Sequence, residues 1–151
     1  MVTSQSKPQM PTRVLLTNDD GVDAPGMQTL RACAETVFEH VTVVAPDGDR
    51  SGTSASITLH RPLRIESRTR GVYAIDGTPV DSVIMGVGHV MHAAPPEIVL
   101  SGVNRGPNLG NDVYYSGTVA AARQAITQGI PAIALSLAGL GNYPFEAVSP
   151  P

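Results

Sequence analysis

Two short apolar runs, residues 14–16 and 41–45, enclose a segment whose apolar side chains fall at steps of three and four. This pattern constrains the fold more than any other feature of the chain. Aliphatic and β-branched runs of this length read as buried strands, and Met27, Leu30, Ala34 and Val37 between them form one helical face. Pro25 suits the first turn of that helix. A strand, helix, strand series of this length implies a right-handed parallel crossover. The first run opens at once into Thr17-Asn18-Asp19-Asp20-Gly21. Adjacent carboxylates repel one another and are tolerated where both face water or where a cation neutralises them. In an open α/β sheet, ligands bind at the carboxyl ends of the strands, so this acidic loop is a metal-site candidate.

The rest of the chain repeats the theme. Residues 46–56 form a polar loop with Asp47, Asp49, Arg50 and Ser51. Residues 57–65 and 72–75 read as short strands with one wet face. Gly77-Thr78-Pro79 predicts a helix start with Thr78 as N-cap, its buried side supplied by Val80, Val83, Ile84, Val87 and Val90. Residues 98–100 are a third core strand. Residues 101–115 form a long loop with Gly102, Gly106 and Gly110. Ser116-Gly117-Thr118 opens another helix with Val119, Ala122 and Ile126 inward, capped by Gly129 and ended by Pro131. Residues 133–135 are a fourth strand. The expected architecture is a three-layer α/β/α domain around a mainly parallel sheet, over residues 13–140. Residues 1–12 and 141–151 are expected to be flexible extensions.

The length of 151 residues suits one domain, and 42% hydrophobic content supplies a core. The net charge of −3 argues against broad attraction to a nucleic-acid backbone, so no duplex partner is expected. Cys33 is the only cysteine, which precludes an intrachain disulfide and fits a reducing compartment. Its place in an apolar helical pattern reads as core rather than nucleophile. No apolar run approaches the roughly 20 residues that span a bilayer, and the first dozen residues lack the apolar centre of a secretory signal. A cytoplasmic protein without a membrane partner is expected.

Three loops carry the chemistry: Asp19-Asp20, then Ser51, then Asn104 with Asn108. Each follows a predicted parallel strand, so all should open on one edge of the sheet. Their carboxylate, hydroxyl and amide oxygens suit Mg²⁺, Mn²⁺ or Ca²⁺ better than zinc. Gly102, Gly106 and Gly110 let backbone N–H groups approach an anion. Ser116-Gly117-Thr118 offers free N–H groups at a helix N-terminus, where phosphate is favoured. A cation site beside an anion cradle suggests a phosphate ester. Plainer roles stand beside these. The Asp pair and the two asparagines could simply build turns, and Ser116 could be an ordinary N-cap. His89 and His92, at i, i+3, lack a third ligand and read as solvent-facing, and His60 has no assigned role. Arg50, Arg61, Arg64, Arg68 and Arg70 form a basic patch, mostly a solvated face, from which Arg50 could reach a phosphate.

Other enzyme classes fail on spacing. No G-x-G-x-x-G follows the first strand and no G-K-[ST] exists. Ser51 is not in a G-x-S-x-G elbow. Phosphatases with an aspartyl nucleophile want aspartates two positions apart. Asp19 and Asp20 are adjacent, which favours a metal-held water as nucleophile.

The chain resembles the SurE (survival protein E) family of metal-dependent nucleoside-monophosphate phosphatases. The motifs are Thr17-Asn18-Asp19-Asp20-Gly21, Val44-Ala45-Pro46, Arg50-Ser51, Gly77-Thr78-Pro79, Ser101-Gly102-Val103-Asn104-Arg105-Gly106-Pro107-Asn108-Leu109-Gly110, Tyr115-Ser116-Gly117-Thr118-Val119 and Gly129-Ile130-Pro131. The resemblance implies a Rossmann-like sheet and hydrolysis of nucleoside 5′- and 3′-monophosphates with one divalent cation, Mg²⁺ or Mn²⁺. It implies Asp19, Asp20, Ser51 and Asn104 as metal ligands, with Asp19, Asp20 and Asn108 catalytic. Asn108 and the Ser116, Gly117 and Thr118 turn would contact phosphate. It also implies a dimer or tetramer, and a chain shortened relative to the family, whose C-terminal part carries further strands, an exchanged hairpin and helix, and part of the substrate pocket. A shortened chain leaves two alternatives, a non-catalytic metal and nucleotide-binding module or an inactive fragment.

Overall fold

The computed structural model describes residues 10–139, 141 and 143–148, with no account of the side chains of Glu146 and Val148. Six strands form one sheet in the order β3-β4-β2-β1-β5-β6: β1 (Arg13–Thr17), β2 (His40–Pro46), β3 (Ile65–Thr69), β4 (Val72–Ile75), β5 (Ile98–Arg105) and β6 (Ala132–Leu137). All neighbours pair in parallel except β3, which runs antiparallel to β4 at the edge. The chain leaves β1 towards β2 through helix α1 (Pro25–Glu35) and later returns to β5 on the other side of β1. That reversal opens a crevice beyond the carboxyl end of β1, the place where such sheets bind ligands.

Strand side chains alternate between faces, and both faces of the central strands are covered. On one face α1 packs Met27, Leu30 and Ala34 against Val14, Leu16, Val43, Ala45 and Leu100. On the other, α2 (Pro79–Met85) and α4 (Gly117–Thr127) pack Val83, Ala121 and Ala125 against Leu15, Val44 and Val99. Val14, Leu15, Leu16 and Thr17 are completely buried, so the loop that follows β1 starts from the centre of the core. Thr78 caps α2 as its sequence suggests, accepting from Asp81 N–H while the Asp81 carboxylate accepts from Thr78 N–H. Gly129 ends α4 at a φ of 79°, and Ile130 N–H donates to Ala125 O.

Several expectations give way. Residues 57–64 are not a strand, and Ile57 and Leu59 are 47% and 76% exposed; β4 takes only Ile65–Thr69 as its outer neighbour, so these residues have no ladder to join. Val37 is exposed because α1 stops at Glu35, where Thr36 turns its hydroxyl back onto Cys33 O at 2.7 Å. Ile126 is 58% exposed, since α4 lays its alanines and Thr118, rather than its bulky residues, on the sheet. Ile84, Val87 and Val90 are half-buried, the last two in a π-helical turn, Gly86–Val90. The third core strand runs on to Arg105, since Asn104 and Arg105 pair with Ser136 and Leu137 beyond a bulge. The following segment holds one short helix, α3 (Asp112–Tyr115). Cys33 is half-buried on α1.

Of the expected N-terminal extension, residues 1–9 lie outside the described residues. Thr12 does not hang free: its N–H and hydroxyl donate to the Glu97 carboxylate at 2.6 and 3.0 Å. Of the expected C-terminal tail, residues 142 and 149–151 lie outside the description, and Phe145–Val148 form a 3₁₀ turn against α1.

Candidate metal and phosphate site

Asp19 is the node at which the loops meet. It is 5% exposed, and its position follows from the two ends of the loop. Asn18 folds the turn on itself, its amide donating to Gly21 O at 2.8 Å and accepting from Gly21 N–H. The loop after β2 is tied on by Arg50 N–H, which donates to Asp19 O at 2.7 Å, and by Val22 N–H, which donates to Pro46 O. From the far end of the chain, Thr118 Oγ1 donates to Asp19 Oδ1 at 2.6 Å. The end of β5 reaches the neighbouring residue: Arg105 N–H donates to Asp20 Oδ2 at 3.1 Å. Segments carrying Asp19-Asp20, Ser51, Asn104 and Ser116-Gly117-Thr118 are thus linked at one rim.

The start of α4 fits against Asp19 only because residue 117 is glycine. A Cβ there would lie 2.8 Å from Asp19 Cβ and 3.0 Å from Oδ2, closer than packed side chains tolerate. Ser116 caps the helix, its hydroxyl accepting from Val119 N–H at 3.1 Å. The plainer role of Ser116 is therefore the one its hydroxyl fills. Thr118 is fully buried and spends its hydroxyl on the carboxylate, so it orients Asp19.

The remaining candidates sit on the rim itself. Ser51 is exposed, and its N–H donates to Asp49 Oδ1 at 2.8 Å. Asn104 Nδ2 donates to Gly106 O at 2.9 Å, which leaves its amide oxygen as the end available to a cation. Asn108 Nδ2 donates to Ser136 Oγ at 2.7 Å. Arg50 is engaged by Asp47 at 2.6 Å and by Gly77 O. His89 and His92 are exposed, and His89 lines a recess with Ile65, Ser67 and Tyr73 rather than with the residues above. Beneath the loop, the register partners Thr17 and Ser101 of β1 and β5 bury hydroxyls that have no hydrogen-bond partner among the described residues.

The electrostatics call for positive charge. Burial pushes the Asp19 carboxyl above its ordinary range; Thr118 pulls it back, and Asp20 and Asp49 push it up again. Asp49 is itself held low, chiefly by hydrogen bonds from Ser51, with help from Arg105 and Arg50. Among the described residues no three His, Cys, Asp or Glu side chains form a metal-binding group. The donors on offer are two carboxylates supplemented by hydroxyl and amide oxygens, a set that a hard divalent cation takes. The sequence reading missed Asp49 and Arg105 as neighbours of the site. A carboxylate two residues before Ser51 and a cation directly after Asn104 were the available signals.

Known proteins share both the sequence and the fold of this chain. The family model described as survival protein SurE matches residues 14–149. A protein named 5'-nucleotidase SurE from Paramagnetospirillum magneticum is 53% identical over 124 residues, covering 82% of this chain and 48% of its own. A 5'-nucleotidase SurE from Anaeromyxobacter sp. is 55% identical over 134 residues, 89% of this chain and 52% of its own. The crystal structure of the SurE protein from Aquifex aeolicus superposes with a TM-score of 0.84 at 43% identity, over 88% of this chain and 54% of that one. The chain spans about half the length of the curated relatives it matches. No helix among the described residues is long and apolar enough to cross a membrane.

Proposed function

The chain belongs to the survival protein SurE family, and from that premise we propose that it hydrolyses nucleoside 5′- and 3′-monophosphates to nucleoside and phosphate with one divalent cation. The observation that carries this reading is the convergence on Asp19, where Thr118 Oγ1 and Arg50 N–H bond the same residue from segments remote in sequence. The substrate class is supported by relatives named 5'-nucleotidase.

Asp19 and Asp20 would hold Mg²⁺ or Mn²⁺, with Ser51 and Asn104 completing the shell. A cation bound there supplies Lewis-acid polarisation of a phosphoryl oxygen and lowers the pKa of a water. The chain's own groups do the positioning. Thr118 fixes the rotamer of Asp19, and Arg105 N–H fixes Asp20. The backbone at Gly117, at the start of an 11-residue helix, and the Asn108 amide orient the phosphoryl group. Assembly as a dimer or tetramer and residence in the cytoplasm accompany this reading.

Phosphate release from a nucleoside monophosphate tests it. Turnover is expected with Mn²⁺ or Mg²⁺, is expected to stop with chelator, and is expected to be abolished in Asp20→Asn. Turnover indifferent to chelation would exclude the mechanism. A second reading is a module that binds metal and nucleotide without turnover. Calorimetric nucleotide binding with no phosphate released would select it.

A further inference from the structure

A cavity of about 270 Å³ opens off the acidic loop on the α1 side. Asp20, the carboxylate bonded by Arg105 N–H, forms part of its wall. The rest is supplied by Ala24, Pro25 and Gly26 at the start of α1, by Asp49, by Arg105 and by Phe145. Phosphate positioning uses none of these six residues. The size is near the lower end for small-molecule pockets, about 300 Å³, which suits one flat ring system better than a larger group.

The lining is also chemically specific. Phe145 presents an aromatic ring, and that ring lies close to α1 because residue 26 is glycine: a Cβ there would come 3.2 Å from Phe145 Cε1 and would collide with Val103 O. Pro25 adds a second flat apolar surface. Arg105 brings a planar guanidinium, which stacks on π-faces and donates hydrogen bonds. Asp20 and Asp49 bring acceptors. An aromatic ring and a guanidinium plane with hydrogen-bonding groups at the edge are the elements that hold a nucleobase. A simple sugar phosphate would leave the aromatic surface unused.

We infer that this cavity is the nucleobase subsite, with Phe145 as the stacking surface and Arg105 as the second binding group. The inference rests on the nucleotidase reading for what is attached to the base, but not for the binding of the base itself. Phe145 and Arg105 would then set preference for nucleotides over phosphate esters that lack a base.

Two measurements on the full chain test it. The first compares kcat/KM for a nucleoside 5′-monophosphate with that for ribose 5-phosphate, in the native chain, Phe145→Leu and Arg105→Gln. The nucleotide-over-sugar preference is expected to fall about tenfold in each variant, as loss of base stacking entails. An unchanged preference in both variants would overturn the subsite. The second titrates adenosine and uridine, which carry no phosphate, by ligand-observed NMR without metal. Binding is expected in the native chain and at least fivefold weaker in both variants. No binding by the native chain, or equal binding by all three, would overturn the subsite. If neither ester is hydrolysed, the nucleotidase reading fails by the first measurement while the second still decides the subsite. Arg105 is exposed, so its substitution leaves the core intact and guards against a folding defect in Phe145→Leu.

Discussion

Replacing Thr118 with valine isolates the contact that fixes Asp19. The side chain is fully buried and its hydroxyl donates to Asp19 Oδ1 at 2.6 Å. Valine keeps the branched shape and puts a methyl where the donor was. A hydrogen bond to a charged group contributes about 1.5–3 kcal/mol, and a buried acceptor left without its donor brings the loss towards the top of that range. A destabilisation of about 2–3 kcal/mol is therefore expected. With a urea dependence of about 1–3 kcal/mol per molar, the unfolding midpoint should fall by roughly 1 M. Thr118→Ser separates the hydroxyl from the packing. It keeps the donor, loses one methyl group and should cost about 1 kcal/mol. Urea unfolding of the three chains at neutral pH, with chelator present, reads both values. A valine variant within about 0.5 kcal/mol of the native chain, or a serine variant as unstable as the valine one, would refute the reasoning.

Two further substitutions probe different parts of the molecule. Gly117→Ala drives a methyl group against Asp19 Cβ; overpacking of about 1–3 kcal/mol should lower the calorimetric midpoint by about 2–4 °C per kcal/mol, and an unchanged midpoint would count against the close approach. Glu97 is held below its ordinary range, chiefly by the N–H groups of Thr12 and Arg13. A carboxylate with a lowered folded-state pKa adds stability above its unfolded value of about 4.3, and that stability is lost as pH falls through the folded value. Glu97→Gln should melt below the native chain at neutral pH and coincide with it near about pH 2; a gap that persists in acid would argue against the assigned cause.

What the sequence made legible is what physics writes locally. Residues 14–16, 41–45, 98–100 and 133–135 announced their strands because aliphatic runs between turn residues have few other uses. Thr78 and Gly129 announced helix ends because capping depends on neighbours within a few positions. Asp19 and Asp20 marked the loop after β1 as a metal-site candidate because paired carboxylates after a buried strand need an explanation. The misreadings share a different cause. Spacing at three and four showed that Val37 and Ile126 could share a helical face, but not where α1 stops or how α4 is rotated on the sheet. Residues 57–64 were apolar enough for a strand, but a strand needs a neighbour, and neighbours are a property of the whole sheet. The bond from Thr118 to Asp19 spans 99 positions, and nothing near either residue advertises it. Arg105 and Phe145 are single residues without periodicity, so only the shape of a cavity brings them together.

Cation binding tests most directly whether the three loops act as one site. Mn²⁺ titrated into the native chain, and into Asp19→Asn, Ser51→Ala and Asn104→Ala, takes one residue from each loop, with electron paramagnetic resonance reporting free ion. One site per native chain is expected, with affinity at least about tenfold weaker in every variant, as loss of a ligand entails. Native binding that survives all three substitutions, or no binding at all, would contradict the account.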